Sequence, residues 1–190
     1  MNNILGGEVY SKDIDGFSVT WESNKNYRHW CIQQESDLDE KLLLVMLNPG
    51  SLSKDGSSLS KDTTLRIIRE VFQGTGVSPF IINLFDLSSP KENEFFQNWE
   101  QRDYGNLIYP MLNKESFKGV IYAYGDCEYY IEHGSKVKER IKLVRNHFSY
   151  LNEVKLPTNS RGTPKHPGRW QREKIKPEIR AMIIEYMKSA

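Results

Sequence analysis

One stretch of this chain is apolar without a break: Leu42-Leu43-Leu44-Val45-Met46-Leu47. A run of that length with no polar alternation predicts a strand buried on both faces, the usual state of a central parallel strand. Asn48-Pro49-Gly50 ends it, through side-chain hydrogen bonding, a fixed φ with no N–H, and access to positive φ. Ser51 to Lys61 is polar and reads as a loop. From Asp62 the apolar positions fall at 65, 68, 71 and 72, which is helical spacing, with Asp62 or an adjacent Thr as the cap and Gly74 or Gly76 as the stop. Pro79 to Phe85 reads as a second buried strand with Asn83 near its end. A loop from Asp86 to about Trp99 and a helix over roughly 101–114 follow.

Phe117 to Tyr124 reads as a third strand, stopped by Gly125-Asp126. A helix over about 128–144 leads to a fourth strand at 147–151. The segment Pro157 to Gly168 is rich in Pro, Gly, Ser, Thr and Asn and reads as a loop. A last amphipathic helix runs from about Gln171 to Met187, where Pro177 is expected to kink or split it. Before the central strand, residues 17–21 and 27–32 read as short strands, the second an added edge to the main sheet. Strands alternating with helices imply an α/β fold: a three-layer α/β/α sandwich around a mostly parallel central sheet. No repeat or linker divides the chain, so residues 1–190 are expected to form one domain, with 1–40 as an extension packing on the sheet.

A length of 190 residues, 38% hydrophobic and 27% charged, suits one soluble domain with a sizeable core. No apolar run approaches the ~18 residues that cross a bilayer, and the N-terminus lacks the blocks of a signal peptide, so a cytoplasmic protein with no membrane partner is expected. Cys31 and Cys127 are expected to be reduced structural thiols. His29, His133, His147 and His166 form no ligand spacing, so no metal is expected. No cofactor is expected either: no GxGxxG follows the first strand, and there is no Walker loop.

A net charge of +1 hides an asymmetry: residues 1–40 carry −5, whereas 155–180 carry +6. A basic C-terminal third on a near-neutral protein fits a local phosphate-binding surface, and equally the solvated face of a terminal helix. In open α/β sheets ligands bind beyond the carboxyl ends of the strands. The ends here offer Asn48, Asn83 and Gly125, and the late loop offers His166. Each also has a purely structural reading as a cap, a turn residue or a loop histidine held between two prolines.

The order of these pieces carries a resemblance. Leu47-Asn48-Pro49-Gly50 at the first strand end, an Ile82-Asn83-Leu84 strand, a third strand ending Tyr124-Gly125 and a late His166-Pro167-Gly168 are similar to the uracil-DNA glycosylase superfamily, in its mismatch-type NPG form. Asp62, Thr64 and Arg66, together with Asn83-Leu84-Phe85, bring residues 27–170 closer still to the family called domain of unknown function 1643. The resemblance implies that Asn48 holds a water against the sugar C1′ and that Asn83 reads the edge of a flipped-out base. It implies that His166 stabilises negative charge on the leaving base. Pro49, Gly50, Ser51, Phe85 and Gly125 would complete the base site. Asn48 cannot titrate usefully, so Asp126 and Asp62 are the carboxylates that would act as base. Lys165, Gly168, Arg169, Trp170 and Arg172 would bind DNA, with Trp170 as the wedge that fills the vacated stack.

The expectation is a monomeric DNA glycosylase that leaves an abasic site. Gly50-Ser51-Leu52 stands where strict uracil enzymes have a bulky aromatic. A modified or mismatched base, such as a hydroxymethylated or glycosylated phage pyrimidine, is therefore favoured over uracil. The alternatives are a nucleic-acid or nucleotide binder of the same fold without turnover, and a hydrolase or transferase acting on free nucleosides.

Overall fold

Among the described residues six strands form one sheet in the order β1-β2-β3-β5-β4-β6. They are β1 (Val9–Ile14), β2 (Phe17–Glu22), β3 (Arg28–Gln33), β4 (Lys41–Met46), β5 (Ser78–Asn83) and β6 (Phe117–Tyr122). The computed structural model describes residues 9–22, 28–33, 40–49, 62–87, 109–130, 132–171 and 175–190.

The sheet is mixed, which corrects the expectation of a mostly parallel three-layer sandwich of glycosylase type. Among the described strands β4 pairs in parallel with β5 and with β6, whereas β1–β2, β2–β3 and β3–β5 are antiparallel. Connection length explains β1–β2 and β2–β3, whereas β3 and β5 pair antiparallel across a long stretch of chain. Parallel neighbours need a crossover of roughly a dozen residues or more, and only the links from β4 to β5 and from β5 to β6 are that long. Asp15 and Gly16, both at positive φ (48° and 83°), close β1 onto β2 in a two-residue hairpin, a geometry that can only give antiparallel strands.

β4 lies between β5 and β6 and is buried on both sides, as its unbroken apolar run predicts. Leu43, Val45 and Leu47 enter one hydrophobic cluster; Leu42, Leu44 and Met46 enter the other. Each such side chain contributes roughly 1.5–3 kcal/mol when fully buried. Helix α1 (Thr63–Phe72) covers the second cluster with Leu65, Ile68, Val71 and Phe72. Its N-cap is Asp62, whose Oδ1 accepts the Leu65 N–H at 3.0 Å. Helix α2 (Gly134–His147) covers the first cluster with Val137, Ile141 and Val144. Helix α3 (Ile175–Ser189) returns to the α1 side through Ile179 and Ile183.

Three other expectations change. Residues 147–151 form no strand: α2 runs on to His147 and the chain then turns, with the Leu151 N–H bonded to the Phe148 carbonyl at 3.0 Å. The helix expected from 128 begins at Gly134, after a single 3-10 turn at Cys127–Tyr129. Pro177 does not kink α3. It sits in the first turn, where an N–H would have had no partner within the helix. Of the helix expected over 101–114, residues 109–111 are helical and Leu112–Lys114 are 3-10, and the remainder lies outside the described residues.

Candidate functional site

The parallel trio sets the location. After β4 the chain reaches α1 on one face of the sheet; after β6 it reaches α2 on the other. Neighbouring strands whose connections leave in opposite directions open a crevice at their carboxyl ends. A cleft of about 650 Å³ lies there, within the ~300–1,000 Å³ range of small-molecule sites.

Backbone pairing holds the β4 end in place. The Ala123 N–H bonds the Val45 carbonyl at 2.8 Å, while Leu84 and Phe85 bond the Met46 and Leu47 carbonyls at 2.8 and 3.0 Å. Asn48, the next residue, lines the cleft, and its Nδ2 donates to the Pro49 carbonyl at 3.2 Å. Asp62 and Thr64 reach the cleft from the start of α1. On the β6 side, Gly125 turns at φ +78°, where a side chain would be strained. A Cβ there would stand 3.3 Å from the Cβ of His166.

His166 itself caps the 3-10 turn Pro167–Arg169, its Nδ1 accepting the Gly168 N–H at 3.1 Å. With Nδ1 engaged as acceptor, the neutral ring carries its proton on Nε2. Burial pushes the imidazole down from its ordinary value to about 4; Arg169 adds to the fall, and Asp62 opposes it. His166 is therefore neutral at physiological pH.

The late loop is pinned to the β6 end through Asp126, whose Oδ1 accepts from Asn159 Nδ2 at 3.0 Å and from the Thr163 hydroxyl. Tyr124 and Tyr130 supply aromatic wall. Behind the wall, Arg145 Nε donates to the Tyr124 hydroxyl at 3.2 Å. Its guanidinium lies 3.9 Å over the Tyr122 ring and pairs with Glu153 at 2.9 Å. Arg28, from the start of β3, is the deepest charge: 1% exposed, with its Nη1 3.5 Å from Asp62 Oδ2.

Of the residues singled out from sequence, the fold brings Asn48, Asp62, Gly125, Asp126, His166, Gly168 and Arg169 to this one cleft. Others stand apart from it. Asn83 is buried at the β5 end outside the cleft lining, with neither side-chain atom hydrogen-bonded. Phe85 is in the core, 5.3 Å beneath the Arg140 guanidinium. Trp170 is a correction: it is 0% exposed, packed in the second cluster with its indole N–H donated to the Lys165 carbonyl at 3.2 Å, so it presents no wedge to solvent. Lys165 Nζ turns back to the Thr158 carbonyl. Pro49 is buried beside Asn48; Gly50, Ser51 and Arg172 lie outside the described residues.

Sequence reasoning missed Arg28, Tyr124, Tyr130 and Asn159 as cleft residues. The available signal was faint: an Arg opening a strand of otherwise inward-facing residues, and two aromatics flanking Gly125-Asp126. Among the described residues no group of His, Cys, Asp and Glu is arranged to hold a metal ion, and no helix is long and apolar enough to cross a membrane.

No curated protein and no solved structure matches the chain, and none of the comparisons supports the resemblance to the uracil-DNA glycosylase superfamily. A family model does match, over residues 27–168. That span opens one residue before Arg28 and closes on Gly168, so it takes in every residue lining the cleft except Arg169. The chain belongs to the family described as protein of unknown function DUF1643.

Proposed function

We propose that this protein hydrolyses the N-glycosidic bond of a modified or mismatched base held in the cleft, leaving an abasic site in DNA. The observation that carries the reading is the convergence of Asn48, Asp126 and a neutral His166, from three distant parts of the chain, on one cleft with two tyrosines in its wall. Breaking C1′–N gives an oxocarbenium-like sugar, and the base leaves with the bonding pair. A neutral imidazole that donates from Nε2 stabilises that developing negative charge by the logic of an oxyanion hole. The Asn48 amide orients the attacking water, whose proton passes to Asp126 through the carboxylate oxygen not used by Asn159 and Thr163. The carboxylate of Asp126 also favours positive charge on the sugar. Arg161 and Arg169, both exposed, provide attraction for the DNA backbone.

The test uses labelled single- and double-stranded oligonucleotides carrying uracil, mismatched thymine, or hydroxymethylated or glucosylated cytosine. Incubation followed by alkali should break the strand at one class of base, and Asn48→Ala or His166→Ala should lower the rate by about 10²–10³. Intact strands for every base offered would dismiss the reading.

A further inference from the structure

The floor of the cleft holds a set of polar atoms without hydrogen bonds. Nε, Nη1 and Nη2 of Arg28 have none, nor does Oδ2 of Asp62, although both side chains are more than nine-tenths buried. Their mutual contact, Nη1 to Oδ2 at 3.5 Å, balances charge without making a hydrogen bond. The other carboxylate oxygen is committed to the Leu65 N–H. More than nine in ten buried polar groups in native proteins are bonded, and each exception asks for a partner. Both residues line the cleft, so a ligand is the partner within reach.

The chemistry of the unfilled atoms describes that ligand. Donors on Arg28 and an acceptor on Asp62 stand side by side, so the complement is an edge with an acceptor beside a donor. An inorganic anion fits poorly: it would satisfy the guanidinium and set a second negative charge against Oδ2. A lactam edge satisfies both, its carbonyl oxygen taking Arg28 and its ring N–H giving to Asp62. The carbonyl has two lone pairs for the Arg28 donors, whereas the ring nitrogen of adenine has one.

Resting on the reading of the cleft as a nucleobase site, we infer that Arg28 and Asp62 are its specificity-determining pair and select an oxo base bearing C=O beside N–H, a uracil-like pyrimidine or a 6-oxopurine. Asn83 has no part in it. Arg28 then also faces the carbonyl on which negative charge accumulates as the base departs.

Equilibrium binding of deoxynucleosides to the full chain tests this without turnover, since the sugar removes the N1–H/C2=O edge that free uracil and free cytosine would both present. Deoxyuridine and deoxyinosine should bind about tenfold more tightly than deoxyadenosine or deoxycytidine. Arg28→Gln and Asp62→Asn should each erase the preference. The double variant R28Q/D62N leaves no unpaired charge in the interior, retains an oxygen for the helix cap, and should also bind without preference, so the test survives a single variant that fails to fold. Equal binding of all four by the wild type, a preference that persists in the double variant, or an Arg28-dependent thermal shift with inorganic phosphate alone would overturn the inference and leave the nucleobase reading standing. Absence of binding by every nucleoside would remove that reading as well.

Discussion

His166 is where single-residue chemistry can be read most directly. A half-buried imidazole held neutral by desolvation differs from a solvent-exposed one in the pH range where it works. An ordinary histidine loses its neutral form as pH falls through about 6.5; this one holds it until about 4. Activity that needs neutral His166 should therefore stay flat from pH 8 down to about 5.5, and the ring should titrate near 4 when followed by its NMR shifts. A midpoint near 6.5 would mean that the ring is as well solvated as a free one. The same residue contributes to stability. Its folded value lies below its unfolded one, so between the two values the unfolded chain binds more protons. The contribution is complete above about 6.5 and is lost as pH falls towards 4. From the sequence, His166 was legible as a residue held between two prolines, but its protonation was not. That depends on desolvation in the cleft beside Gly125, on Asp62 and Arg169 and on the Gly168 N–H, most of which no local pattern encodes.

Among the elements, the turn carrying Pro167–Arg169 divides its labour by depth. Arg169 is exposed at the cleft rim, and Trp170, one residue on, is sealed in the core. Removing the indole should therefore act on stability: Trp170→Ala is expected to cost about 3–5 kcal/mol, measured as a lower urea midpoint. A surface wedge would instead leave the midpoint within about 0.5 kcal/mol of wild type and weaken only DNA retention. Trp170 looked like a wedge because it follows His166-Pro167-Gly168, where the resemblance puts one; the second hydrophobic cluster and the Lys165 carbonyl hold it inside instead. The elements that read correctly are those whose signal is intrinsic, such as the apolar run of β4 and the Asp62 cap of α1. β1 was missed because Val9–Ile14 alternates weakly. The Asp15-Gly16 pair was the clue, a two-residue hairpin signal lying between Ile14 and Phe17.

For the whole molecule, the proposed hold on DNA would draw on charge spread over the surface as well as on the cleft. The positive C-terminal third reaches the cleft through Arg169, while Arg161 lies 4.8 Å over the exposed ring of Tyr129. DNA retention should fall steeply with salt, and Arg169→Gln should weaken it for all sequences alike and lower the log–log salt slope by about 1. A slope unchanged by the substitution would take Arg169 out of the backbone contacts. The parallel half of the sheet was readable from alternating strands and helices. The antiparallel half was not, because pairing between β3 and β5 is settled across almost fifty residues.

That pairing also sets an order of events. β1, β2 and β3 leave the ribosome first, yet the strand they dock on, β5, emerges only after β4 and α1 have followed. The early three-stranded meander has no seat until then, and its unpaired β3 edge is open to other chains in the meantime. A nascent chain halted before Ser78 would hold a hydrophobic meander with nowhere to go, whereas one that has passed Asn83 can close the first five strands together.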